Sequence, residues 1–175
     1  MKLLAFAASS SSKSINQKLV SYAASLVVDA KVELLDINDY EMPLYSEDRE
    51  AELGELPQAR AFYEKLGQAD AVMISFAEHN GHYTAAYKNL FDWTSRIDMK
   101  VYQGKPMVIM ATSPGPGGAS SVLAAAKASA PFFAADIRAA ISVPNFYDCY
   151  DEATGALQDA ALIDQLQTAA VQLLK

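Results

Sequence analysis

Hydrophobic positions along the chain follow two alternating rhythms. In short runs nearly every position is apolar: Lys2 to Ala8, Ala71 to Phe76 and Pro106 to Thr112. Longer stretches between them repeat apolar residues every three or four positions. Leu19, Tyr22, Ala23, Leu26 and Val27 predict a helix over Asn16 to Val28. Further helices are expected over Pro57 to Leu66, Tyr83 to Ser95, Ser120 to Ala130 and Gln158 to Leu174. Further strands are expected over Lys31 to Ile37 and Ile137 to Val143. Pro57 suits a first helical turn, and Gly67 the position just past a helix end. The stretch Asn38 to Leu56 shows neither rhythm, carries seven acidic residues, and reads as a solvated irregular connection that could border a substrate entrance.

Buried strands separated by helices imply βαβ units and a parallel sheet covered on both faces. Five strands in one chain of 175 residues predict an α/β, flavodoxin-like doubly wound sheet, a single domain over 1–175. In such sheets ligands bind beyond the carboxyl ends of the strands, where the strand order reverses. That rule points to three loops: Ser9 to Asn16, Ala77 to Tyr83, and Ser113 to Ser120.

The first loop, Ser9-Ser10-Ser11-Ser12-Lys13-Ser14-Ile15-Asn16, has the chemistry of a phosphate cradle. A helix start offers free N–H groups and the positive end of the dipole. Ser9, Ser11 and Ser14 add hydroxyl donors, Lys13 a charge, and Ile15 and Asn16 the first helical turn. A loop of this composition could equally do no more than cap its helix. The segment Gly115-Pro116-Gly117-Gly118 lacks the third glycine of a dinucleotide fingerprint and follows the wrong strand for one. It reads as a turn that lets backbone approach a flat ligand closely.

The stretch Ala77-Glu78-His79-Asn80-Gly81-His82-Tyr83-Thr84-Ala85-Ala86-Tyr87-Lys88-Asn89-Leu90-Phe91-Asp92-Trp93 resembles the signature of the NADPH-dependent FMN reductase family, P-E-Y-N-x-S-x-x-x-x-L-K-N-x-x-D-W. Glu78, Asn80, Lys88, Asn89, Asp92 and Trp93 match it. The first loop is similar to the family's G-S-x-R-x-x-S-x-N through Ser9, Ser14 and Asn16, and Thr112 to Gly115 with Gly117-Gly118 resemble its third loop. Ala8, Ser11, Ala77, His79, His82 and Tyr87 depart from the pattern; Ser11 stands where the family usually has Arg. The resemblance implies a flavin reductase that uses FMN with NADPH or NADH and a small-molecule acceptor, with ping-pong kinetics. It implies that Ser9, Ser14 and Asn16 hold the phosphate side. Ala77 and Glu78, His79, Asn80 and Gly81 would line the ring mostly through backbone groups, and Ser113 and Gly115 would approach its other edge. Backbone N–H groups there would stabilise negative charge on the ring, so no catalytic side chain is expected.

Other chemistries fit less well. The formal net charge of −7 argues against nucleic acid or an anionic membrane as partner. The single cysteine, Cys149, cannot form an internal disulfide, and no base accompanies it. Glu78, His79, His82 and Asp92 lack the spacing of a zinc site. Ser113 lies outside a G-x-S-x-G elbow. The first apolar run is too short for a signal peptide and no run could span a membrane, so a cytoplasmic protein is expected. A flavodoxin-type electron carrier and a flavin-free relative with a binding role are the alternatives. The apolar set Tyr83, Ala86, Tyr87, Leu90, Phe91 and Trp93 covers about 160° of its helix. That exceeds the usual stripe of about 100°, so a homodimer or homotetramer joined partly through this helix is expected.

Overall fold

The computed structural model describes residues 1–174. Strands β1 (Lys2–Ala8), β2 (Lys31–Leu35), β3 (Ala71–Phe76), β6 (Pro106–Thr112) and β7 (Asp136–Val143) form one sheet in the order β2-β1-β3-β6-β7. All four pairings are parallel. The crossovers carry α1 (Ile15–Ser25), α3 (Pro57–Gln68), α4 (Ala85–Ile97) and α5 (Ser120–Ser129), and α7 (Ala160–Gln172) closes the fold. Two small hairpins lie outside the sheet: β4 (Glu78–His79) with β5 (His82–Tyr83), and β8 (Tyr150–Asp151) with β9 (Ala156–Leu157). Short helices α2 (Glu47–Leu53) and α6 (Phe146–Cys149) lie in the connections.

β1 is buried from Leu3 onward because it has neighbours on both sides and helices on both faces. Leu4, Phe6 and Ala8 face Phe62, Leu66, Tyr87, Leu90, Trp93 and Val122 of α3, α4 and α5. Leu3 and Ala5 face Leu19 and Val20 of α1 and Leu166 and Ala169 of α7. Phe6 is fully enclosed and meets Phe62 edge-on at 5.6 Å. Removing such a ring costs about 3–5 kcal/mol. The edge strand β2 is exposed over four of its five residues and carries Lys31 and Glu33 there, charges that discourage edge-to-edge pairing.

Several expected boundaries move, each for a local reason. The predicted helix from Tyr83 begins at Ala85, because Thr84 caps it by accepting the Tyr87 N–H at 3.2 Å, and Tyr83 belongs to β5. Gly67 is inside the last turn of α3, not beyond it, and a Cβ there would lie 2.8 Å from the Gln103 amide oxygen. The closing helix starts at Ala160, where the Asp159 carboxylate accepts the N–H groups of Ala161 and Leu162.

The stretch expected to be irregular, Asn38 to Leu56, contains most of a 3-10 turn (Ile37–Tyr40) and all of α2. Asn89 of α4 holds it: its amide donates to the carbonyls of Met42 and Pro43 at 3.1 Å and accepts the Tyr45 N–H at 2.8 Å. Trp93 donates its indole N–H to the Pro43 carbonyl at 2.7 Å and meets the Tyr45 ring edge-on at 5.2 Å. Arg96 pairs with Glu50, which also accepts the Tyr45 hydroxyl.

Candidate functional site

The three loops expected at the site lie at the carboxyl ends of β1, β3 and β6, which are adjacent in the sheet. Each turns back on itself first. In the loop after β1, the Ser9 hydroxyl accepts the Ser11 N–H at 3.3 Å, the Ser11 hydroxyl accepts the Lys13 N–H at 3.4 Å, and the Ser14 hydroxyl caps α1 through the Gln17 N–H at 3.3 Å. A hydroxyl that accepts keeps its own hydrogen to donate. The loop therefore presents three O–H donors, and Ile15 and Asn16 add first-turn N–H groups that helix geometry leaves without internal acceptors.

Asn16 is 3% exposed and its side chain is committed inside the fold. Its oxygen accepts the Ser75 hydroxyl at 2.7 Å and the Thr112 N–H at 3.1 Å, and its amide donates to the Thr112 carbonyl at 3.3 Å. It thus ties the first loop to the ends of β3 and β6, and only its backbone can serve a phosphate. Thr84 links the start of α4 to β1 by donating to the Ala8 carbonyl at 3.1 Å.

The second loop is the β4–β5 hairpin. Asn80 and Gly81 form its two-residue turn with φ of 52° and 78°, a left-handed pair that an Asn-Gly sequence adopts at low cost. The turn exposes His79, Asn80 and Gly81, while Ala77 and Glu78 are half-buried. The Glu78 side chain leaves the hairpin and accepts the Val122 N–H at 2.8 Å. It caps α5 from a distance. That helix has Ala119 at its N-cap with φ 55° and no capping side chain of its own, so a carboxylate at its positive end is stabilising.

In the third loop, Ser113 donates its hydroxyl to the Gly115 carbonyl at 3.1 Å, and the same carbonyl accepts the Asn145 N–H at 3.0 Å. Gly118 is required by the chain itself: its φ is 58°, and a Cβ would lie 2.4 Å from the Ser142 hydroxyl. Gly115 and Gly117 are different. Neither has a positive φ, and a Cβ at either would meet nothing within 4 Å. Nothing within the chain demands glycine at these positions, whereas a flat group lying close against the loop would.

A cavity of about 180 Å³ adjoins the first loop, lined by Ser9, Ser11, Ser12, Ser14, Gln17 and residues Leu34 to Asp36. The structure thus brings Ser9, Ser11 and Ser14 together. Lys13 is exposed and lies outside this lining. Asp36 was not expected there. It stands just past the end of β2, and its carboxylate accepts the backbone and side-chain N–H groups of Asn38 at 2.9 and 2.8 Å. Its signal in the sequence is position alone: the residue after a strand adjoining the first is where doubly wound folds place ligand contacts. A larger cavity, about 370 Å³, opens beside Ser10 between the Ile37 to Leu44 segment and the first turns of α4.

Cys149 is buried in α6 and donates its thiol to the Phe146 carbonyl. Burial pushes the thiol above its usual range, which suppresses the thiolate a nucleophile requires.

The chain resembles known proteins. An NAD(P)H-dependent FMN reductase of Pseudomonas aeruginosa is 35% identical over 116 residues, 66% of this chain and 61% of that protein. A 2-hydroxy-1,4-benzoquinone reductase of a Burkholderia species is 36% identical over 104 residues, 58% of this chain and 55% of that one. The matched stretch thus spans a little over half the length of these curated relatives. The solved structure of FerB, a flavoenzyme NAD(P)H:(acceptor) oxidoreductase from Paracoccus denitrificans, superposes with a TM-score of 0.76 at 25% identity, covering 99% of this chain and 94% of that one. The sequence pattern that defines the NADPH-dependent FMN reductases matches residues 1–148, and the chain belongs to that family.

Proposed function

We propose that this protein binds one FMN per chain at the rim formed by its three loops and uses it, with NADPH or NADH as donor, to reduce a flavin, a quinone or another small acceptor. The observation that carries the reading is the pair Gly115 and Gly117, glycines that the chain does not need for its own packing, facing open space on the third loop. The cradle after β1 fits a phosphate monoester: Ser9, Ser11 and Ser14 offer O–H donors at a helix start. FMN would supply the two-electron exchange between nicotinamide and acceptor. The protein's share is position. Asn16 fixes the phosphate loop to the sheet, Glu78 fixes the hairpin to α5, and Thr84 fixes α4 to β1.

One open face serves both donor and acceptor in this reading, so they bind in turn. Initial-rate plots with NADPH and a benzoquinone should be parallel lines. Intersecting lines would remove the shared site, and no NADPH or NADH oxidation by the FMN-loaded protein would favour an electron carrier instead.

The reading also includes a cytoplasmic location, supported by the lone buried cysteine, and no membrane partner. No helix among the described residues is long and apolar enough to cross a membrane. It further includes a homodimer or homotetramer. The α4 arc is largely engaged within the chain, since Tyr87, Leu90 and Trp93 are buried and Phe91 packs against Phe133 at 4.7 Å. Its width reflects packing on two sides, against Tyr45 on one and Phe133 on the other. Leu44 and Phe132, 72% and 83% exposed, are among the large apolar side chains free for subunit contact.

A further inference from the structure

A groove of about 250 Å³ runs along the flank of α4, between that helix and α5. Of the three loops only the hairpin reaches it, through His82 and Tyr83. Its walls are rings. Tyr83, Tyr87, Phe91, Tyr102 and Phe133 line it and pack on one another at centroid distances of 4.7–5.9 Å.

The hydroxyls in these walls do not balance. Tyr87 and Tyr102, 2% and 3% exposed, bond to each other at 2.7 Å, and among the described residues neither hydroxyl has another partner. Two hydroxyls hold two hydrogens, and one bond between them uses one. The second hydrogen has no acceptor, which for a buried donor is costly. Tyr83 and Ser129 repeat the arrangement at 3.1 Å on the same groove. Burial pushes both Tyr87 and Tyr102 well above the usual phenol range, so they stay protonated donors. The charged residues on the groove, Lys88 and Asp92, pair with each other at 2.7 Å and leave it no net charge.

We propose that this groove is a binding site for a neutral, planar aromatic compound bearing one or two carbonyl-type oxygens, separate from the three-loop rim. Aromatic walls take the flat ring by edge and face contacts. The spare hydrogen of the Tyr87–Tyr102 pair takes the carbonyl oxygen, and that of Tyr83–Ser129 a second acceptor. An anion finds no free cation here, and a ligand without an acceptor leaves both hydrogens unmatched. The inference does not depend on the reductase reading.

Chromone, planar with one carbonyl, and naphthalene, a similar shape with no acceptor, are the probes, titrated calorimetrically into the protein with and without saturating FMN. Chromone should bind about tenfold more tightly than naphthalene, equally in both conditions. The variants follow from the hydrogen count. Tyr102→Phe alone leaves the Tyr87 hydrogen free and should keep the preference. Tyr87→Phe, Tyr102→Phe, Tyr83→Phe and Ser129→Ala together remove both spare donors and should lose it while naphthalene is unaffected, which also shows that the groove is still folded. Absence of chromone binding, as when a second copy of the chain covers the groove, overturns the proposal. Displacement by FMN, or an unchanged preference in the variant that lacks all four hydroxyls, does the same. Failure of FMN to bind leaves the chromone titration intact and counts only against the reductase reading.

Discussion

The hydroxyls of Ser9, Ser11 and Ser14 keep their hydrogens free to donate, because their oxygens already accept backbone N–H groups. Asp36 lines the same cavity, and its carboxylate would repel a dianionic phosphate held by these hydroxyls. Two charges a few ångströms apart near water interact by about 1 kcal/mol. Asp36→Asn should therefore tighten FMN about fivefold. Ser11→Arg adds a charge-assisted hydrogen bond worth about 1.5–3 kcal/mol, roughly 10- to 150-fold. Riboflavin has no phosphate and should respond to neither change. Dissociation constants for both ligands check this, and equal shifts for FMN and riboflavin would place the phosphate elsewhere. Ser11 was legible from the sequence because it interrupts a familiar motif. Asp36 was not, because its place in the cradle depends on β2 lying beside β1, a pairing that its own segment does not encode.

Among the elements, α4 carries more than its own burial. Asn89 and Trp93 reach across to hold the segment from Met42 to Tyr45 and, through it, α2. α2 buries none of its residues and depends on these bonds and on the Ser46 cap. Asn89→Ala removes three hydrogen bonds, and at about 0.5–1.5 kcal/mol each it should cost roughly 2–4 kcal/mol. The loss should be local: hydrogen exchange should rise first across residues 41–53, and uniform acceleration over the whole chain would contradict the anchor. The central strands were legible because nearly every position in them is apolar, which few other elements allow. The β4–β5 hairpin was missed although Asn80-Gly81 is a strong turn signal, because Tyr83 prolongs the apolar rhythm of the following helix. α2 was missed because an acidic helix with no buried face has no rhythm to read. The remote cap that Glu78 gives α5 was out of reach, since the residues are 44 positions apart.

At the scale of the molecule, the strand order brings the three loops to one rim, and Asn16, Glu78 and Thr84 lock that rim together. Self-association, if it proceeds through Leu44 and Phe132, should leave the mass at or above twice 18.9 kDa in light scattering at micromolar concentration, and Leu44→Asp with Phe132→Asp should return it to one chain. A monomeric parent protein would end that part of the proposal. The most direct test of the central claim, a flavin seated against the third loop, is a titration of FMN into the parent protein and into Gly115→Ala, each with its apo melting temperature. The account predicts one FMN per chain in the parent. It predicts a melting temperature in the variant that is equal or slightly higher, because the new methyl meets open space and the unfolded chain loses freedom, together with FMN binding at least tenfold weaker. FMN bound with equal affinity by both proteins, or by neither, would contradict it.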